Sequence, residues 1–301
     1  MQVQYARLAK RILVAVFERG EAGELLELVQ LVAQDEEAEL FFDSTYGPRR
    51  IVTLRSRLEQ VIQSFESRTM ATPLEQDESN PSFFIFRFAD DDALTPEERN
   101  LRARYRLHFS FLALLQELDA TLFEHLCARV LELVGCESVF VTRSSKDEGV
   151  DCFGRLPAAP PPTPSALKMS PFARVLAQVN SLLFGQAKRY AADHRIDVGV
   201  VRAMPGTWEN IKNGLINGTV TPDLRAGLEY VGYEASDSVV RMVLTTSSFT
   251  AGAVKTARTL GIVGLDGDQI AQLLLEAGGG VQQIDVGDWR ADEVTLAAYC
   301  V

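Results

Sequence analysis

The stretch Leu182-Leu183-Phe184-Gly185-Gln186-Ala187-Lys188-Arg189-Tyr190 starts as a core strand and then turns polar. Successive side chains of a strand point to opposite faces, so Phe184, Gln186, Lys188 and Tyr190 share one face. Gln186 and Lys188 then stand roughly 7 Å apart on it. An unpaired ammonium buried in a core costs several kcal/mol or more. The strand end is therefore wet, or the pair does chemistry.

Thirty-five residues upstream, "KDEGVDCFG" places Asp151 at the start of another strand, straight after a turn. If the two strands pair, Asp151 meets Gln186 and Lys188 at one end of the sheet. An anionic oxygen, a neutral oxygen and a cation then converge. Mg²⁺ prefers oxygen ligands and keeps several waters. A metal held by Asp151 and Gln186 would polarise a phosphate oxygen and activate water. Lys188 would orient that water or offset the charge that builds on the phosphate. The backbone carbonyl of Ala187 is within reach of the same metal.

Bulk properties set the frame. The chain has 301 residues, enough for about two domains, with 47% hydrophobic and 24% charged residues. No apolar run approaches the roughly 20 residues of a membrane span. The first residues read as an amphipathic helix, not a secretory signal, which points to the cytoplasm. Cys127, Cys136, Cys152 and Cys300 form no C-x-x-C pair, and a structural zinc or disulfide framework is not expected. Net charge is −11, which argues against a passive nucleic-acid coat. The distribution is uneven, however. Residues 152–192 contain no acid but carry Arg155, Lys168, Arg174, Lys188 and Arg189. Residues 238–265 contain none either, but carry Arg241, Lys255 and Arg258. A phosphate backbone responds to such local potential.

The expected organisation is α/β. Residues 1–115 form a mainly helical N-terminal unit, with helices over 5–18, 22–33 and 55–67. "AELFFD" and "RRIVTL" flank Gly47-Pro48 as a hairpin, which is compatible with a winged-helix-like arrangement. DNA reading, self-assembly and regulation all remain open for it, with Arg49, Arg50, Arg55 and Arg57 as the local basic cluster. Thr95 and Pro96 open a long helix. Residues 116–280 form a mixed sheet flanked by helices: a hairpin first, then strand–helix steps that require parallel pairing. "VGVVRAMPGTWENIKNG" reads as a broken helix, and Ser170-Pro171 as the start of a short one. Residues 281–301 are a C-terminal extension.

In order along the chain stand a Phe-Glu near a helix start, a turn ending Gly-x-Asp, the Gln-x-Lys strand, "TTSSFT" and "GLDGDQIAQLL". Over residues ~116–278 this resembles the catalytic domain of Mrr-type restriction endonucleases, in the PD-(D/E)xK nuclease superfamily. The resemblance implies a restriction-endonuclease-like fold and a Mg²⁺-dependent DNA endonuclease (Mn²⁺ as substitute), in restriction or anti-phage defence. It puts the metal aspartate on Asp151, the variable metal-site position on Gln186, the catalytic lysine on Lys188 and the helix acid on Glu124. The turn acid falls on Asp147. Lys146, Arg189, Thr246 and Ser247 are candidate DNA contacts, although Thr245 to Ser248 suit helix capping better than phosphate contact. DNA, a second copy of the chain and a defence-system protein are the expected partners. Two additions depart from the pattern, "RLPAAPPPTPSALKMSPF" and residues 214–238. They keep open a rival reading, a nuclease-fold DNA-binding or regulatory module without turnover.

Overall fold

The computed structural model describes every residue except 1–3, 21–22, 34–39, 69, 90–92, 143–148, 158–179 and 286. Lys146, Asp147, the proline-rich stretch and the helix expected at Ser170-Pro171 lie outside the described residues. Two units emerge: residues 1–110 with 281–290, and residues 111–280 with 291–301.

The first unit packs helices α1 (Tyr5–Arg19), α2 (Leu25–Val32) and α3 (Gly47–Ser67) with a small antiparallel sheet. That sheet has the order β1 (Gly23–Glu24), β3 (Phe83–Phe86), β2 (Leu74–Gln76). Leu8, Ile12, Val16, Leu54, Leu58, Leu74 and Phe84 share one core. The hairpin expected over residues 38–54 is not formed, because "RRIVTL" lies inside α3. Pro48 opens that helix at a position where a missing N–H costs nothing. Leu54, Leu58 and Phe65 then bury one helical face, and this burial outweighs the β-branched run at Ile51 to Thr53. The antiparallel hairpin of this unit is β2–β3 instead.

The long helix expected from Thr95 is two helices, α4 (Pro96–Arg106) and α5 (His108–Glu117). Thr95 and Glu98 form a reciprocal capping box at its start. Asn100 Oδ1 accepts from Gln283 Nε2 (3.3 Å), Gly287 N (3.1 Å) and Trp289 Nε1 (3.2 Å), which ties β9 (Val281–Asp285) and β10 (Asp288–Ala291) to α4.

The second unit is built on a five-stranded mixed sheet in the order β4-β5-β6-β7-β8. β5 (Cys152–Leu156) pairs antiparallel with both β4 (Ser138–Val141) and β6 (Ser181–Lys188). β7 (Ser238–Thr245) and β8 (Ile262–Leu265) continue parallel to β6. Parallel pairing needs crossovers. Helices α7 (Val198–Asn217) and α8 (Pro222–Tyr230) supply the first, and α9 (Ala251–Leu260) the second. On one face Phe153, Phe184, Met204, Trp208, Leu224 and Leu228 form a core. Phe184 and Trp208 meet edge to face at 5.4 Å. α6 (Ala120–Leu133) packs against β4, β5 and β6, and α10 (Gly267–Ala277) and α11 (Glu293–Cys300) pack against α6.

Two expectations change here. α7 is continuous, with Pro205 inside it. Residues 214–238 are no appendage: Leu224 and Leu228 are core residues, and a Cβ on Gly227 would stand 2.5 Å from the Phe140 ring.

Candidate active site at the β5–β6 fork

β5 and β6 pair as Cys152↔Gly185, Phe153↔Phe184 and Gly154↔Leu183. Carried one step further, that register sets Asp151 opposite Gln186. The pairing becomes irregular there. In a regular strand one residue's N–H and C=O point the same way, toward one neighbour. Asp151 instead donates its N–H to the Gly185 carbonyl on β6 (3.1 Å), while its own carbonyl accepts from Thr142 N–H, just past β4 (3.0 Å). Val150 and Phe153 also share one core although they are three residues apart. Strict alternation would put them on opposite faces, so the chain carries a bulge-like slip between them.

The slip aims the Asp151 carboxylate into the gap between the strands. Its Oδ2 accepts from the Ala187 N–H at 2.6 Å, in place of a backbone carbonyl. The residue is 6% exposed. A carboxylate so buried is tolerable because it is hydrogen-bonded. Gly149 makes the approach possible. Its φ of +86° is one that L side chains rarely adopt, which explains the glycine two residues before the aspartate.

Gln186 is half-buried and paired with Val243 of β7. Its Nε2 lies 3.6 Å from the point where a Gly149 Cβ would be, and Thr207 of α7 approaches the same point at 3.4 Å. Gly149, Gln186 and Thr207 therefore meet at one spot. Thr207 carried no signal in the sequence, because a threonine inside a helix is usually only a surface residue. Lys188 is half-buried at the end of β6, opposite Thr245, whose hydroxyl donates to the Lys188 carbonyl (2.7 Å).

Glu124 sits half-buried on α6. Two buried thiols feel both its charge and that of Asp151. Burial pushes Cys127 well above its ordinary value, and Cys152, Asp151 and Glu124 push it further. Burial does the same to Cys152, with Asp151, Cys136 and Glu124 adding to it.

The loops after β6 and β7 are laced together. Thr246 Oγ1 donates to the Tyr190 carbonyl (2.7 Å) and accepts from Tyr190 N–H (2.9 Å). Gln116 Nε2 donates to the Thr246 carbonyl (3.1 Å), and Ser247 Oγ donates to the His194 carbonyl. Thr246 and Ser247 are buried. Both hydroxyls, candidate DNA contacts in the sequence, are turned inward onto backbone carbonyls. They do not cap the next helix, since Thr250 does so through Ala253 N–H. Gln116, which also accepts from Arg189 Nη1 through its carbonyl (3.2 Å), was missed. Arg189 itself is exposed, as are Lys255 and Arg258. Two of the basic residues counted from sequence are structural: Arg155 reaches Asp237 (3.5 Å), and Arg241 donates to the Leu260 carbonyl (3.4 Å).

Residues 115–221 match the sequence model of the Mrr catalytic domain, described as a restriction endonuclease. The matched segment includes Glu124, Asp151, Gln186 and Lys188. The match ends before β7, so "TTSSFT" and "GLDGDQIAQLL" lie beyond it. No curated protein sequence matches the chain. Among solved structures the chain is similar to the MspJI restriction endonuclease in complex with a 27-mer oligonucleotide (19% identity, 72% of this chain and 40% of that one, TM-score 0.38). It is also similar to the restriction endonuclease FokI bound to DNA (11% identity, 91% and 45%, TM-score 0.34). The chain spans less than half the length of either. Among the described residues no helix is long and apolar enough to cross a membrane.

The donors at the fork fit a hard divalent cation. Among the described residues no three His, Cys, Asp or Glu side chains gather as a metal cage. Mg²⁺ does not need one: one or two carboxylates, waters and substrate phosphates serve it. A buried aspartate on the strand next to Gln186 is such a partial set.

Proposed function

We propose that the second unit hydrolyses phosphodiester bonds of DNA with the help of Mg²⁺, Mn²⁺ serving as a substitute. The observation that carries this reading is the Asp151 carboxylate held against the Ala187 N–H, between the two residues of the Gln186–Lys188 pair. Asp151, Gln186 and Glu124 hold the cation. When bound, it supplies Lewis-acid polarisation of a phosphate oxygen. The chain does the rest. The bulge fixes the direction of Asp151, so little reorganisation accompanies the reaction. Lys188 faces the phosphate and offsets the negative charge that builds as water attacks phosphorus and the ester oxygen leaves. Arg189, Lys255 and Arg258 give the DNA backbone exposed cations. Cutting both strands of a duplex calls for two sites, which favours a homodimer. We place this activity in restriction or anti-phage defence, in the cytoplasm and alongside a partner protein; the Mrr-like match supports that reading.

The second reading is a nuclease-fold DNA-binding or regulatory module without turnover, which the chain's net charge of −11 favours. Plasmid incubated with the full chain and Mg²⁺ separates the two. The nuclease reading expects supercoiled DNA to become nicked or linear, with the effect abolished by EDTA and by Lys188→Ala. DNA that stays intact with Mg²⁺ and with Mn²⁺, whether plain, methylated or single-stranded, supports the silent module.

A further inference from the structure

The first unit carries a groove of about 540 Å³ lined by Arg7, Lys10, Arg11, Glu18 and Arg19 of α1. Val14 and Ala15 of α1, with Leu31 and Val32 of α2, complete its lining. On α1 these positions recur every three or four residues, so they form one stripe along the helix. The opposite side of α1, with Leu8, Ile12, Leu13 and Val16, is buried in the unit's core. The main apolar side is thus already used, and five of the seven α1 residues left facing the groove are charged, unlike a helix that lies on a lipid surface. Arg7, Lys10 and Arg19 are exposed. Among the described residues no carboxylate lies within ion-pair distance of any of these three.

From Arg7 to Arg19 the stripe runs twelve residues, about 18 Å of helix. One DNA strand carries a charge about every 3.4 Å of axis, so the stripe matches about five phosphates. The four cations are spread along the groove and not gathered at one point, which suits an extended polyanion better than a single phosphate group. On a chain of net charge −11 the stripe is a local exception, and a phosphate backbone responds to local potential.

We infer that the α1 groove is a sequence-independent docking site for one strand of a DNA backbone, separate from the β5–β6 fork. The inference rests on the reading of the protein as a DNA enzyme. It assigns Arg7, Lys10 and Arg19 to phosphate contact and Glu18 to weakening it.

The test uses the full chain carrying Lys188→Ala, so that binding is read without cleavage, and a fluorescent random-sequence duplex titrated at several salt concentrations. Arg7→Gln, Lys10→Gln and Arg19→Gln are combined on this background. Glutamine keeps helix propensity, and circular dichroism checks the fold. Each lost phosphate contact lowers the slope of log K against log salt by about 0.9, so the triple variant loses about 2.7. Lys10→Gln alone loses about 0.9, and Glu18→Gln strengthens binding. A triple variant with an unchanged slope overturns the inference. So does equal loss of binding to inorganic tripolyphosphate, which would make the groove a small-anion site. If wild-type protein cuts DNA while the triple variant keeps its slope, only the groove assignment falls. If wild-type protein neither binds nor cuts DNA, the nuclease reading falls with it.

Discussion

The Asp151 carboxylate takes the Ala187 N–H at 2.6 Å, so a side chain fills the place of a backbone acceptor where β5 and β6 part. This bond fixes the acid beside the Gln186–Lys188 pair. Asp151→Asn keeps an oxygen for Ala187 but removes the charge. It should fold normally and lose cleavage by about 10²–10³-fold, the scale of one preorganised electrostatic group. Thermal melting and plasmid cleavage check the two halves. A melting temperature that collapses with the activity would make Asp151 a structural residue instead.

Gly185 sits at the same fork for steric reasons. A Cβ there would stand 2.9 Å from Cys152 Sγ and 3.1 Å from Leu244 Cδ1. Gly185→Ala is expected to cost about 1–3 kcal/mol by overpacking. Adding Cys152→Ala removes the nearest clash, so the double variant should lose less than the sum of the singles. Denaturant titration of the four proteins measures this. Strict additivity would show that the sulfur is not the obstacle.

Thr246 separates architecture from DNA contact. Its hydroxyl makes two hydrogen bonds to the Tyr190 backbone and is buried. Thr246→Val should cost about 1–3 kcal/mol of stability, the usual result of leaving buried groups unpaired. The salt slope of DNA binding should stay unchanged, and a lower slope would restore this residue as a phosphate contact.

The buried thiols make the protein sensitive to alkali. Burial, aided by Glu132, pushes Cys136 up to about 12, and burial pushes Cys300 up to about 11 despite nearby Arg129. Unfolded, each thiol ionises near 9.0. The native state therefore holds protons that the unfolded chain releases. This contribution is complete below pH 9 and is lost as pH rises toward 11–12. Denaturation midpoints measured from pH 8 to pH 11 should fall, and Cys136→Ala should flatten the decline. Below pH 9 the native thiols should resist alkylation until the chain unfolds.

Much of the second unit is legible in the sequence because its signals are local. Asp119 and Thr250 stand at the helix starts that their side chains cap, and the strand–helix steps at 238–277 dictate parallel pairing. α3 looks like strand in the sequence because Ile51, Val52 and Thr53 are β-formers beside a Gly-Pro breaker. The helical spacing of Leu54, Leu58 and Phe65, together with Pro48, held the better signal. At the site, alternation on β6 puts Gln186 and Lys188 on one face. The slip at Asp151 could not be read, since it depends on which backbone partners the fork leaves unpaired. Nor could the inward turn of Thr246, because hydroxyl-rich loops look alike whether they meet phosphate, a helix end or the chain itself.

Binding of Mn²⁺ to the full chain, followed by electron paramagnetic resonance in the presence of uncut duplex, tests the assembled site most directly. The wild type and Lys188→Ala should both take up the ion, while Asp151→Asn should lose it. Gln186→Ala should fall between them. An Asp151→Asn protein that binds Mn²⁺ as tightly as the wild type would contradict the account.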